Sequence, residues 1–194
     1  MDHSIRHATK QDAKSLAELV NIAGEGMPYY LWSKLVEGNQ TPWDVGITRA
    51  QREERGFSYK NALLLEVDNE VVGCLIGYPI LNKAIDEEYS EMPKMFVPLQ
   101  RLEDQAVGSW YINVLAVYSE YRNRGIGNIL ISKAEDCMKE NNLNRLSLIV
   151  PDSNPGAIRF YERNRFTLLD TKPMEKEEWD SSGENWNLFI KDIQ

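Results

Sequence analysis

Residues 113–136 read NVLAVYSEYRNRGIGNILISKAED. The first five extend the run SWYI into SWYINVLAV (109–117), whose β-branched and aromatic content predicts a largely buried strand. After the turn, Ile126, Ile129, Leu130, Ala134, Cys137 and Met138 recur at helical spacing, and the pattern stops at Asn141-Asn142. The segment is therefore a strand, a glycine-containing turn and a helix. N–H groups at a helix start have no intrahelical acceptor, and glycine lets a ligand approach the backbone, so the turn suits a phosphate. A plain tight turn without a ligand has the same signature. A dinucleotide fingerprint needs a third glycine three positions after Gly127, where Leu130 stands, and no Walker loop occurs anywhere in the chain.

Working outward, SIRHAT (4–9) predicts a short strand, and Thr9 with Asp12 predicts a helix start before Leu16, Leu19, Val20 and Ala23. Residues 24–60 are rich in aromatic side chains, among them Tyr29, Tyr30, Trp32, Trp43, Phe57 and Tyr59. Packing of short helices explains them, and so does a lid over an acceptor. TPWDVGITRAQREER (41–55) predicts a helix capped by Thr41 with Pro42 in its first turn. NALLLEVDNEVVGCLIGYPI (61–80) is the clearest β signal, two apolar runs about Asp68-Asn69 that predict a hairpin. Residues 81–108 look irregular and partly helical. RLSLIV (145–150) predicts a strand, NPGAIRFYER (154–163) a helix, and FTLLDT and WNLFIKDI two terminal strands. This order predicts an α+β (mixed α/β) fold with a twisted mixed sheet of about six or seven strands and helices on both faces. One domain over 1–194 is expected, with 24–60 and 81–108 as acceptor-side loops.

Composition narrows the function classes. A formal charge of −8 argues against nucleic-acid binding, which needs a basic face, and is compatible with a cationic small molecule or peptide. The two cysteines, Cys74 and Cys137, fit no zinc spacing and read as core residues. His3 and His7, both near the N-terminus, have no acidic or cysteine cluster around them, which argues against a metal site or a Ser-His-Asp triad. The N-terminus lacks a signal-peptide core, and no apolar run approaches ~18 residues, so a cytoplasmic protein with no membrane partner is expected.

Residues 113–136 resemble the acetyl-CoA-binding motif of the GNAT superfamily of N-acetyltransferases, Gln/Arg-x-x-Gly-x-Gly/Ala, here Arg122-x-x-Gly125-x-Gly127. NPGAIRFYERNRF (154–166) is similar to the family's later Asn…Ala…Tyr helix, and the element order fits the fold across nearly the whole chain. The resemblance implies acetyl transfer from acetyl-CoA to an amine by direct attack in a ternary complex, without a metal. It places Arg122, Asn123, Arg124, Gly125, Ile126, Gly127 and Asn128 around the CoA pyrophosphate, and the main chains of Leu115 and Val117 along pantetheine. It gives Asn154 a CoA contact and makes Tyr161 the acid that protonates the departing thiolate. By residue chemistry alone, Asn154 is a natural helix cap and Tyr161 an ordinary core tyrosine. At seven residues apart, close to two turns, they project from one helix face.

Two departures from the family stand out. Many members carry a glutamate early in the 109–117 strand, where this chain has Tyr111 and Asn113. An amine of pKa ~10.4 is only about 0.04% neutral at pH 7, a scarcity worth roughly 4–5 kcal/mol, so a base is useful. The base is left unassigned, with Glu103 and Asp104 before the strand as candidates. After Tyr161 the family often has Leu-Gly-Phe, whereas Asn164-Arg165-Phe166 puts arginine at the glycine position, and a local change in the turn is expected. The absent glutamate leaves a catalytically silent acyl-CoA-binding or regulatory domain as the alternative. The acceptor, a small-molecule or peptide amine, is not encoded legibly, and a homodimer is left open.

Overall fold

A computed structural model describes residues 3–193. The chain divides into two compact units. One takes in the chain up to Tyr78 together with Asn113–Ser132, and the other takes in Pro79–Ile112 and the chain from Lys133 onward. Seven strands form one mixed sheet in the order β1-β2-β3-β4-β5-β7-β6. These are β1 (His3–His7), β2 (Ala62–Val67), β3 (Glu70–Ile80), β4 (Ser109–Val117), β5 (Arg145–Pro151), β6 (Thr167–Pro173) and β7 (Asn185–Asp192). Seven α-helices accompany them among the described residues: α1 (Ala13–Ala23), α2 (Met27–Ser33), α3 (Pro42–Ala50), α4 (Asp86–Glu91), α5 (Val97–Glu103), α6 (Ile126–Glu140) and α7 (Pro155–Arg163).

In the first unit, β2 and β3 pair antiparallel, and their connection is a two-residue turn. Asp68 (φ 52°) and Asn69 (φ 67°) both take positive φ, the backbone a type I′ turn demands and short polar side chains tolerate. Leu64, Leu16, Leu19, Cys74 and Ile76 are fully buried in one core, with Val114 and Ala116 of β4. Glycine sets one spacing here. A Cβ on Gly73 would lie 2.7 Å from the Ala116 carbonyl oxygen, so β3 and β4 reach their separation only with glycine at 73. Arg6 ties the edge together, donating to Glu66 of β2 at 2.8 Å and twice to Asp12 before α1 at 2.8 and 2.9 Å.

Helix α3 is shorter than 41–55. Thr41 caps it as expected, its hydroxyl accepting from the Asp44 N–H, but the helix stops at Ala50. Continuing it would stack Arg49, Arg52 and Arg55 along one face. Burial lowers the Arg49 pKa, and the charges of Arg52 and Arg55 lower it further.

In the second unit, β5 and β7 pair antiparallel from Arg145↔Asp192 to Pro151↔Trp186, and β6 pairs with the outer side of β7. The last strand therefore lies between the two that precede it. Strands β4 and β5 are parallel, with a register that runs from Trp110↔Leu146 to Ile112↔Leu148. Beside it, the buried hydroxyls of Ser109 and Ser147 pair at 2.6 Å, which satisfies two polar groups inside an apolar layer.

Helix α7 ends in a Schellman motif. The Phe166 N–H donates to Tyr161 O at 3.0 Å and the Arg165 N–H to Glu162 O at 2.9 Å, with Arg165 at φ 67°. The change of turn expected from the missing glycine does not occur. Arginine accepts the left-handed conformation, a cost of about 1–2 kcal/mol offset by the two backbone hydrogen bonds and by burial of Phe166.

Candidate functional site

The glycine turn lies in the first unit, between β4 and α6. Tyr118 and Tyr121 pin its entry. The Tyr118 N–H donates to Val72 O at 3.0 Å and its hydroxyl to Glu18 at 2.8 Å, while the Tyr121 hydroxyl donates to Glu70 at 3.0 Å. Burial first, and then the Glu18 carboxylate, push the Tyr118 pKa up, so this phenol is a structural donor.

Arg122 is exposed and folds back, its Nε donating to the Val117 carbonyl at 3.1 Å. It acts as a brace across the turn that it starts. Arg124 lies over the Tyr121 ring at 5.4 Å. Asn123 (φ 61°) and Gly125 (φ 83°) both take positive φ, which reverses the chain twice within four residues. The Gly125 carbonyl accepts from the N–H groups of Asn128 and Ile129 at 3.0 and 3.2 Å and so starts α6. Ile126 and Leu130 bury their side chains and fix the helix to the core. Asn123, Arg124 and Gly125 are exposed, and the N–H groups of Ile126 and Gly127 precede the first intrahelical donor. A Cβ added to Gly125 would meet no protein atom within 4 Å. The turn is thus an open cradle of backbone donors at the positive end of a fifteen-residue helix, which suits an anionic group. The Asn128 N–H is already engaged within this turn.

On β4, Leu115 and Val117 are half-buried and lie beyond Ile112, where the register with β5 ends. The Val117 carbonyl is taken by Arg122.

The second motif lies in the other unit. Asn154 caps α7, its Oδ1 accepting from the Ala157 N–H at 3.0 Å, which leaves its side-chain NH2 as the group that can donate. Tyr161 is buried, with Phe160 and Phe166 edge-on to its ring at 5.3 and 5.6 Å. Burial alone raises its pKa well above the ordinary tyrosine value, so the phenol stays protonated at neutral pH.

The two acids before β4 have opposite environments. Burial pushes the Asp104 pKa up, but hydrogen bonds from the Ala84 N–H (2.9 Å), the Tyr89 hydroxyl (2.7 Å) and Gln100 Nε2 (3.1 Å) outweigh it and hold the carboxylate ionised. Glu103 lacks such a set of donors. Burial pushes its carboxyl up to about 7, with the Tyr111 hydroxyl pulling down and the Asp104 charge pushing up. No group of three metal-ligating side chains occurs among the described residues, and no described helix is long and apolar enough to cross a membrane.

This strand–turn–helix within a seven-stranded mixed sheet defines an acetyltransferase-type fold, and the chain belongs to the acetyltransferase (GNAT) family, whose model matches residues 28–166. Among curated relatives, it is 26% identical over 170 residues to mycothiol acetyltransferase of Corynebacterium jeikeium, covering 82% of this chain and 47% of that protein. An N-acetyltransferase structure from Staphylococcus aureus Mu50 superposes with a TM-score of 0.64 at 20% identity, over 97% of this chain and all of that one. The PaiA N-acetyltransferase of Thermoplasma acidophilum, in complex with coenzyme A, gives 0.56 at 16% identity over the full length of both. The stretches aligned to five curated relatives span between 34% and 60% of those proteins' length.

Proposed function

We propose that this protein transfers the acetyl group of acetyl-CoA to an amine by direct attack in a ternary complex. The observation that carries the reading is the open cradle at Gly125, a positive-φ glycine with free space over it at the start of α6. In this reading Arg122 through Asn128 surround the pyrophosphate. The N–H groups of Asn123 to Gly127 do the binding, while Arg122 and Asn128 shape the turn. The main chains of Leu115 and Val117 pair with pantetheine, with Val117 contributing its N–H. The Asn154 side-chain NH2 contacts CoA, and Tyr161, protonated at working pH, donates to the departing thiolate.

The acceptor is a small-molecule or peptide amine, approached through residues 24–60 and 81–108 of a single acetyltransferase domain. The net charge of −8 favours a cationic acceptor. The protein is cytoplasmic and carries out this reaction as a monomer or homodimer.

Thermal shift and thiol release test the reading together. Acetyl-CoA at about 100 times its Kd stabilises a single-site binder by ~2.7 kcal/mol, or about 5–10 °C for a chain of this size. NAD and ATP should give no shift. A panel of polyamines, aromatic amines, aminoglycosides and lysine or N-terminal peptides is then assayed for release of free CoA thiol. No shift with acetyl-CoA would refute the cofactor assignment. A shift without thiol release from any amine would favour a silent acyl-CoA-binding domain.

A further inference from the structure

Arg49, Arg52 and Arg55 close α3 and the turn after it. Among the described residues, none of their guanidinium groups joins an ion pair or donates a hydrogen bond to the protein. Acids to pair with are plentiful, since the chain has 30 Asp and Glu against 22 Lys and Arg. The Arg52 N–H donates to Arg49 O at 3.3 Å, which sets these two one turn apart. Arg52 and Arg55 line one open depression with Glu53 and Glu54. Arg49 and Arg52 are half-buried, and Arg55 is exposed. Glu53 does not neutralise them, because it is held between Lys10 at 2.8 Å and Lys60 at 2.6 Å. Glu54 is exposed and forms no ion pair among the described residues. The negative end of α3 accounts for Arg49, which lies in its last turn, but not for Arg52 and Arg55 beyond the helix.

The main chain that presents these side chains is tied down. The buried Ser58 hydroxyl donates to Arg52 O at 2.6 Å, and Asn61 Nδ2 donates to Arg55 O at 3.0 Å and Gly56 O at 3.2 Å. The depression is separate from the glycine turn. Strand β2 runs from Ala62, opposite Ile76, to Val67, opposite Glu70, and it is Glu70 that the Tyr121 hydroxyl of the glycine turn reaches. The arginines adjoin the other end of the strand through Asn61, about 17 Å away along β2.

We propose that Arg49, Arg52 and Arg55 form a binding site for the phosphate group of a small molecule, distinct from the pyrophosphate cradle assigned at Gly125. Each guanidinium presents planar, paired N–H donors that match phosphate oxygens. A phosphate monoester, close to doubly charged at neutral pH, answers three neighbouring cations better than a single carboxylate does. Bound there, it supplies the counter-charge that the protein does not. The site uses none of the residues assigned to acetyl-CoA and is independent of the acetyl-transfer reading.

Calorimetric titration of the full chain with inorganic phosphate and with phosphoethanolamine tests the site, in the presence of CoA so that the glycine turn is occupied. One saturable phosphate per chain is expected, bound more weakly as salt is raised. The double variant Arg52→Gln, Arg55→Gln should weaken binding at least ~10-fold. Lys139→Gln, which removes an exposed charge from α6, should change it less than about twofold. Arg55→Gly guards against a folding artefact. Arg55 stands at φ 74°, so glycine should hold or raise the melting temperature while phosphate affinity still falls. Phosphate bound equally by wild type and double variant, or not bound at all, would overturn the proposal. Ethanolamine and phosphoethanolamine, compared as acceptors, separate the two sources of the phosphate. A lower KM for phosphoethanolamine that the double variant loses makes the phosphate part of the acceptor. Phosphate binding without that difference makes it a separate ligand, and both results support the site. A wild type that releases no thiol from any amine would refute the transferase reading and leave the phosphate titration as the test.

Discussion

Gly125→Ala separates what the backbone of the glycine turn requires from what the ligand requires. At φ 83°, any side chain is strained, and a left-handed alanine costs about 1–2 kcal/mol. No packing penalty adds to this, because the new Cβ meets no protein atom within 4 Å. The turn keeps its hydrogen bonds, since the 125 carbonyl still accepts from Asn128 and Ile129. The melting temperature should therefore fall by about 2–8 °C in a chain of this length. Affinity for acetyl-CoA should fall by far more than that strain explains, because the methyl group enters the space assigned to the pyrophosphate. A loss of at least tenfold, about 1.4 kcal/mol, is expected by calorimetric titration. Asn123→Gly is the internal control. It relieves positive φ in the same turn and should raise stability by up to about 1 kcal/mol while leaving affinity nearly unchanged. Wild-type affinity in Gly125→Ala, with the stability loss as calculated, would remove the turn from CoA binding. A stability loss above about 4 kcal/mol would contradict the open space over the glycine.

Tyr161→Phe keeps the ring between Phe160 and Phe166 and removes only the proton donor, so kcat should drop ~100-fold or more with little change in acetyl-CoA affinity. Equal turnover in that variant would remove Tyr161 from the mechanism. Asp12, held at about 2 chiefly by its hydrogen bonds with Arg6, has a folded pKa below its unfolded value. Its contribution is thus present above pH ~4 and lost as pH falls toward 2. Arg6 is over a third exposed, so solvent screening limits the contribution to about 1 kcal/mol. Urea unfolding at pH 7, 4 and 3 should show Asp12→Asn less stable by that amount at neutral pH and closer to wild type at pH 3, and parallel curves would refute the coupling.

The features legible in the sequence are those whose causes are local. The Asp68-Asn69 hairpin follows from two residues that tolerate positive φ between apolar runs, and the caps at Thr41 and Asn154 from side-chain oxygens within reach of the N–H three residues on. The strand–turn–helix around Gly125 is equally local, and with it came the resemblance that proved to mark the family.

Other features are equally local, with partners three to five residues away, yet their backbone conformation is not written in residue type. Arg165 looked like a break in the turn after α7, but the Schellman bonds to Tyr161 and Glu162 hold arginine at positive φ. The resemblance places Arg122 at the pyrophosphate, and the turn brings its Nε to the Val117 carbonyl.

Glu103 shows the division best. Its sequence neighbourhood makes it one of two adjacent acids and distinguishes neither. The sequence by itself determined the order of elements, the glycine turn and hence the family, because backbone conformation and hydrophobic period act over a few residues. Only the tertiary structure decided that β7 enters between β5 and β6 and that one of two neighbouring carboxyls is desolvated against Tyr111 while the other is saturated with donors. A pKa is set by everything packed around a group, and that environment is assembled from segments that are not neighbours in the chain.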